Sequence, residues 1–187
     1  MIKIAWGITG CGDKIEEVVD TMIGLKDELH LDIDVYASKS AKRVLKWYRL
    51  WDKLMAEFQE IKVEVDANAP FLAGKLQTGK YDIFLVAPAT ANTVAKIAHC
   101  IADTLITNSV SQAIKGGVPV YIFPPDNRVG EIETVIPGGK TLKLRIRKED
   151  VENVERLRKM EGITVLDTVE DIRRAILEYM KSNGKLC

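Results

Sequence analysis

Between residues 88 and 93 the chain reads Pro88-Ala89-Thr90-Ala91-Asn92-Thr93, which clusters Thr90, Asn92 and Thr93 as small hydrogen-bonding side chains within four positions. Hydroxyl and amide groups so placed can hold the polar edge of a flat ligand. Two further segments suit a phosphate. Gly10-Cys11-Gly12 permits close backbone approach just ahead of a helix, and Ser38-Lys39-Ser40 offers two hydroxyls beside a point charge. Each segment also has a plainer reading. Thr90 or Asn92 can be a helix N-cap, and Ser38 can be a cap next to a solvated lysine. A dinucleotide fingerprint is incomplete, because position 15 is Ile where a third glycine belongs, so a single terminal phosphate suits the loop better than a pyrophosphate.

These segments follow apolar runs that must carry them. Residues 2–9, 31–37, 83–87 and 118–123 read as buried strands, with 61–65 and 163–166 as weaker ones. The run at 83–87 is apolar without alternation, as a parallel strand covered on both faces should be, and Pro88 ends it. Helical periodicity appears in Ile15, Val18, Val19, Met22 and Ile23, and again from Val44 through Trp47, Tyr48 and Trp51 to Leu54. Residues 69–72 are expected at the head of a short helix, a further helix ends at Lys115 before Gly116-Gly117, and two more run through Val151–Leu157 and Ile172–Met180. Strand–helix alternation implies an α/β fold: a Rossmann-like or flavodoxin-like three-layer sandwich on a mostly parallel sheet. Leu142, Leu144 and Ile146 alternate with Lys143, Arg145 and Arg147 after a Pro-Gly-Gly turn, which predicts a half-buried β-hairpin insertion appended to the sheet at about residues 131–147. The three polar loops then fall at carboxyl ends of strands, where open α/β sheets bind ligands.

Composition narrows the function classes. The chain has 187 residues, 47% of them hydrophobic, which fits one domain over 1–187. Its formal net charge is zero, so neither nucleic acid nor a membrane surface is called for as partner. No apolar run reaches a membrane span and no signal-peptide pattern opens the chain, which reads as cytoplasmic. Cys11, Cys100 and Cys187 lie far apart without C-x-x-C spacing, arguing against an iron–sulfur cluster or a disulfide framework; Cys100 is expected in a small apolar core position and Cys187 in a loose terminus. With His30 and His99 in unrelated contexts, no metal site is expected. The spacing of Trp47 and Trp51 puts them on one helical face, suited to core or oligomer contact ahead of ligand stacking. Arg128, Lys140, Lys143, Arg145 and Arg147 read as the wet side of the hairpin.

The 88–93 segment resembles the "PASANT" signature of the homo-oligomeric flavin-containing cysteine decarboxylase superfamily, with Thr for Ser, and Ala102-Asp103-Thr104-Leu105-Ile106-Thr107-Asn108 resembles its "ADnLlt" segment. The resemblance implies flavin mononucleotide (FMN) as cofactor, with Gly10, Cys11 and Gly12 and then Ser38 at its phosphate. It places Ala89, Thr90, Ala91, Asn92 and Thr93 along its ring side, while Lys39 is added from its charge. Two decarboxylase features are missing. No His precedes the Asp82 strand in the 71–80 segment, and Pro124-Pro125-Asp126-Asn127-Arg128-Val129-Gly130 stands where the P-x-M-N-x-x-M-W clamp would be.

Phrases such as Ile4-Ala5-Trp6-Gly7-Ile8-Thr9-Gly10 and Asn68-Ala69-Pro70-Phe71-Leu72-Ala73-Gly74 are similar to the archaeal flavoprotein branch that includes the dihydromethanopterin reductases. That branch implies an FMN-dependent oxidoreductase reducing a dihydropterin by hydride transfer, with no catalytic side chain specified. An FMN electron carrier fed by ferredoxin is the alternative, ahead of a phosphopantothenoylcysteine decarboxylase, a flavin prenyltransferase or an NAD-linked dehydrogenase. The expected partners are further copies of the chain in trimer-based assemblies, and a pterin or a redox protein.

Overall fold

The computed structural model describes residues 1–185, so Cys187 lies outside it. Six strands form one sheet in the order β3-β2-β1-β4-β5-β8, every pairing parallel. They are β1 (Lys3–Ile8), β2 (Asp32–Ala37), β3 (Ile61–Val63), β4 (Ile83–Val86), β5 (Val120–Ile122) and β8 (Ile163–Val165). Parallel neighbours need crossovers. The connecting helices are α1 (Ile15–Glu28), α2 (Lys39–Trp47), α3 (Trp51–Glu57), α4 (Ala73–Gln77), α5 (Ala91–Ala98), α6 (Leu105–Lys115), α7 (Lys148–Leu157) and α8 (Glu170–Ser182).

Alternation along the strands builds two cores, one on each face. Ile83 and Leu85 of β4 join Ile4, Trp6 and Ile8 of β1 against α1, α2, α3 and α8. Phe84 and Val86 point the other way, onto Leu76 of α4, Val94 of α5, Ile106 and Val110 of α6, and Leu157 of α7. This is the three-layer arrangement expected from the strand–helix rhythm. At Gly7 the two layers meet so closely that a Cβ would lie 2.8 Å from Ile106 Cδ1, so β1 carries a glycine there. Trp6 fastens the sheet at its carboxyl edge by donating its indole N–H to the Ala87 carbonyl at 2.8 Å.

Four local expectations need correction. The helix through Trp47 and Trp51 is two helices, because Arg49 has φ 59 between them, so the two tryptophans share no continuous face. Trp51 packs on the first core beneath Lys42 and Lys46, while Trp47 stays 53% exposed. The short helix begins at Ala73, after the Pro70 segment. β6 (Gly130–Val135) and β7 (Thr141–Ile146) pair antiparallel as a two-stranded sheet of their own, not as an extension of the six strands, and Leu144 is exposed while Ile146 is buried. Cys100 is exposed, at φ 59 in the turn after α5, instead of filling the core.

Candidate functional site

At the carboxyl edge of the sheet a cavity of about 630 Å³ is lined by Thr9, Gly10, Ser38, Lys39, Ser40, Thr90, Asn92 and Thr93, together with the 64–67 loop and residues at the head of α6. Its size falls in the range of small-molecule sites. Three helices present their N-terminal ends to it: α2, α5 and α6. Unpaired amides at such ends favour an anion.

Ser38 is held by its amide, which donates to Ile8 O at 3.0 Å, and its hydroxyl accepts from Ala41 N–H at 3.0 Å as the α2 N-cap. Thr90 caps α5 in the same way, accepting from Thr93 N–H at 3.1 Å and donating its own hydroxyl proton to Thr93 Oγ1 at 3.0 Å. The capping readings of these loops are therefore correct. They do not compete with a ligand role, since the capped helices leave Ser40 and Asn92 at the cavity wall. Gly10 is required by packing: a Cβ there would stand 2.6 Å from Ser40 Cβ and 3.3 Å from the Ser40 backbone carbon. The first and second loops close against each other at that point.

Six of the ten residues expected at the site line the cavity: Gly10, Ser38, Lys39, Thr90, Asn92 and Thr93. Cys11 and Gly12 turn away from it. Gly12 lies under the Tyr48 ring, and the Cys11 thiol donates to Asp13 O at 3.7 Å. Burial, with help from Asp126, pushes that thiol up to about 12, so it is no nucleophile at neutral pH. Ala89 is buried in the second core, and its amide donates to Phe123 O at 2.8 Å, tying the 88–93 loop to the end of β5. Ala91 opens α5 as its first residue.

Sequence reasoning passed over Thr9 and Glu64. Thr9 is 2% exposed, and its hydroxyl donates to Pro88 O at 2.8 Å while accepting from Thr90 N–H at 2.8 Å. One side chain thus joins the first loop to the third. Thr9→Val should leave the Thr90 amide unsatisfied and lower stability by about 1–3 kcal/mol, read as a lower urea midpoint with an unchanged slope. Glu64 follows β3, and its carboxylate accepts from Lys39 N–H at 3.1 Å and Leu105 N–H at 2.8 Å. Their signal was positional, since both immediately follow a strand's carboxyl end. Thr104 caps α6 in a reciprocal box with Thr107, and Asn108 anchors the 64–68 loop through Ala67 O and Asn68 Oδ1.

Asp103 at the cavity wall is held below its ordinary value by the hydrogen bond from Lys96, and the other perturbed groups do not line the cavity. Tyr36, Tyr81, Asp34, Lys62 and Lys3 form a network across the β3, β2, β1 side of the sheet. Burial pushes the Tyr81 hydroxyl up, whereas at Asp34 the Lys62 and Tyr81 hydrogen bonds overcome burial and hold the carboxyl below its ordinary value. These bonds tie β1, β2 and β3 to the start of β4, and none of the five residues lines the cavity. Asp126 is held above its ordinary value by burial and by Asp150 and Asp13. Among the described residues no group of three or more His, Cys, Asp or Glu could hold a metal, and no helix is long and apolar enough to cross a membrane.

The family model described as Flavoprotein matches residues 1–183. The chain belongs to the flavoprotein family. This flavoprotein is 67% identical over 181 residues to an uncharacterized protein of Methanocaldococcus jannaschii, covering 97% of each chain. It is 29% identical to the same organism's dihydromethanopterin reductase (acceptor), over 88% of this chain and 92% of that one. Among solved structures, Burkholderia xenovorans DmrB in complex with FMN, described as a cubic protein cage for redox transfer, superposes with a TM-score of 0.84. Identity to it is 30%, with 98% of this flavoprotein and 97% of DmrB covered.

Proposed function

We propose that this flavoprotein is an FMN-dependent oxidoreductase that reduces a dihydropterin of the dihydromethanopterin type. The observation that carries the reading is the cavity itself, whose lining runs from Gly10 and Ser38–Ser40 to Thr90, Asn92 and Thr93. The likeness to a dihydromethanopterin reductase and to FMN-bound DmrB supports it. The residues present fit FMN. Ser38, Lys39, Ser40 and Gly10 would hold the phosphate at the α2 N-terminus, and Thr90, Asn92 and Thr93 the polar side of the ring. When bound and reduced, FMN supplies the hydride for the pterin's C=N bond. The protein's own part is to place the acceptor and exclude water, for which proximity is the main source of rate. Cys11 and Gly12 contribute in this reading by shaping the turn, and Ala89 and Ala91 by fixing the loop.

The whole of 1–187 acts as one FMN-binding unit in this reading, with the hairpin as its insertion. A redox protein such as ferredoxin is the proposed donor. Free thiols at Cys11 and Cys100 suit the reducing cytoplasm. The proposed assembly is built on trimers, which agrees with DmrB's cubic cage because cubic symmetry contains threefold axes. Exposed apolar side chains such as Phe71, 67% exposed, and Trp47 give subunits something to bury. Light scattering at micromolar concentration should give a particle several times the 20.9 kDa of one chain; a monomer would contradict the assembly.

Extraction of the cofactor and anaerobic pterin turnover test the activity. FMN with pterin-dependent oxidation of the flavin is the expected result. FAD, or prompt oxidation of reduced ferredoxin without pterin turnover, would refute the reductase reading, the second outcome favouring an electron carrier.

A further inference from the structure

The cavity wall carries a charge that opposes its proposed occupant. Glu64 spans the first amides of α2 and α6 with one carboxylate, at 3.1 Å from Lys39 N and 2.8 Å from Leu105 N. An anion between two helix N-termini is what the helix ends favour, and in an anion site that place belongs to the ligand. Among the described residues Lys39 is the single cation lining the cavity, against Glu64, Asp66 and Asp103. Asp103 is neutralised by Lys96 at 2.9 Å, and Asp66 is turned to the Asn68 and Ala69 amides of its own loop. Glu64 alone of the three is bonded to α2, the helix on which Lys39 and Ser40 stand and which Ser38 caps.

Resting on the FMN reading, we propose that Glu64 is a resident counter-anion of the phosphate end, occupying the α2 and α6 amides in the free protein and capping the affinity for FMN by like-charge repulsion. The carboxylate then serves two ends. It satisfies both helix termini while the cavity is open to water, and it keeps phosphate binding weaker than the donors alone would make it. A phosphate monoester carries close to two negative charges at neutral pH, whereas riboflavin has the same ring and ribityl chain with none. The repulsion is therefore a property of FMN binding that riboflavin binding lacks.

Fluorescence quenching titrations of flavin-stripped protein with FMN and with riboflavin, in wild type, Glu64→Gln and Glu64→Ala, measure it directly. Glu64→Gln removes the charge at nearly constant shape, and Glu64→Ala serves if the amide variant fails to fold. Each should tighten FMN about tenfold relative to riboflavin, because the phosphate gains the helix ends and loses a like-charged neighbour. The flavin-free variants should melt at lower temperature than flavin-free wild type, since two amides lose a charged acceptor. An FMN-to-riboflavin affinity ratio that stays constant or falls would overturn the role of Glu64 while leaving the FMN reading intact. Wild type that takes neither flavin would overturn both.

Discussion

Ser38→Glu is expected to purify without flavin, its FMN affinity lowered by roughly a thousandfold. The new carboxylate would sit at the α2 N-terminus, where the phosphate of FMN must lie, and like unit charges about 4 Å apart repel by about 4 kcal/mol at an effective dielectric of about 20. At about 1.4 kcal/mol per tenfold, that repulsion accounts for the loss. Part of the helix cap goes as well, because the Ser38 hydroxyl accepts from Ala41 N–H. Ser38→Ala separates the two effects. It removes the cap, worth about 1 kcal/mol, without adding charge, and should keep flavin at reduced affinity. Equal flavin content in Ser38→Glu and wild type would move the phosphate away from α2.

Gly10→Val should also abolish flavin retention, for a steric reason. A Cβ at position 10 would lie 2.6 Å from Ser40 Cβ and 3.3 Å from backbone, and the backbone contact is the one that cannot yield cheaply. The first two loops must then part, which widens the phosphate cradle and costs about 1–3 kcal/mol of stability, as overpacking does. Gly12→Ala makes a useful contrast. Its Cβ would meet the Tyr48 hydroxyl at 2.6 Å, the far end of a side chain that can swing away, so the variant should keep its flavin. Flavin absorbance per protein reads both outcomes, and loss from Gly12→Ala with retention in Gly10→Val would invert the assignment.

The contrast between the two glycines marks where the sequence was legible. Period-two and unbroken apolar runs located the six parallel strands, and the strand ends located the loops, because burial imposes its pattern locally. What failed was decided by single backbone angles or by distant partners. The split between α2 and α3 rests on a left-handed Arg49, which no hydrophobic spacing announces. Cys100 takes the same left-handed conformation in the turn after α5 and is exposed there. The hairpin pattern gave the right strands, but pairing within the hairpin leaves no ladder bond to the main sheet, and alternation is blind to that choice. At the cavity, residue type pointed to Ser38, Thr90 and Asn92, which line it, whereas Thr9 and Glu64 act through bonds to residues 81 and 41 positions away.

Loss of the decarboxylase equipment and retention of the cavity lead to one chemical expectation, and one anaerobic experiment addresses it. FMN-loaded protein, reduced in full and freed of reductant, is mixed rapidly with dihydromethanopterin while the flavin absorbance is followed. The oxidised flavin spectrum should return at a rate that rises with pterin concentration, with one tetrahydropterin formed per flavin. Flavin that stays reduced at every pterin concentration, under conditions where an oxidised ferredoxin reoxidises it promptly, would contradict that claim.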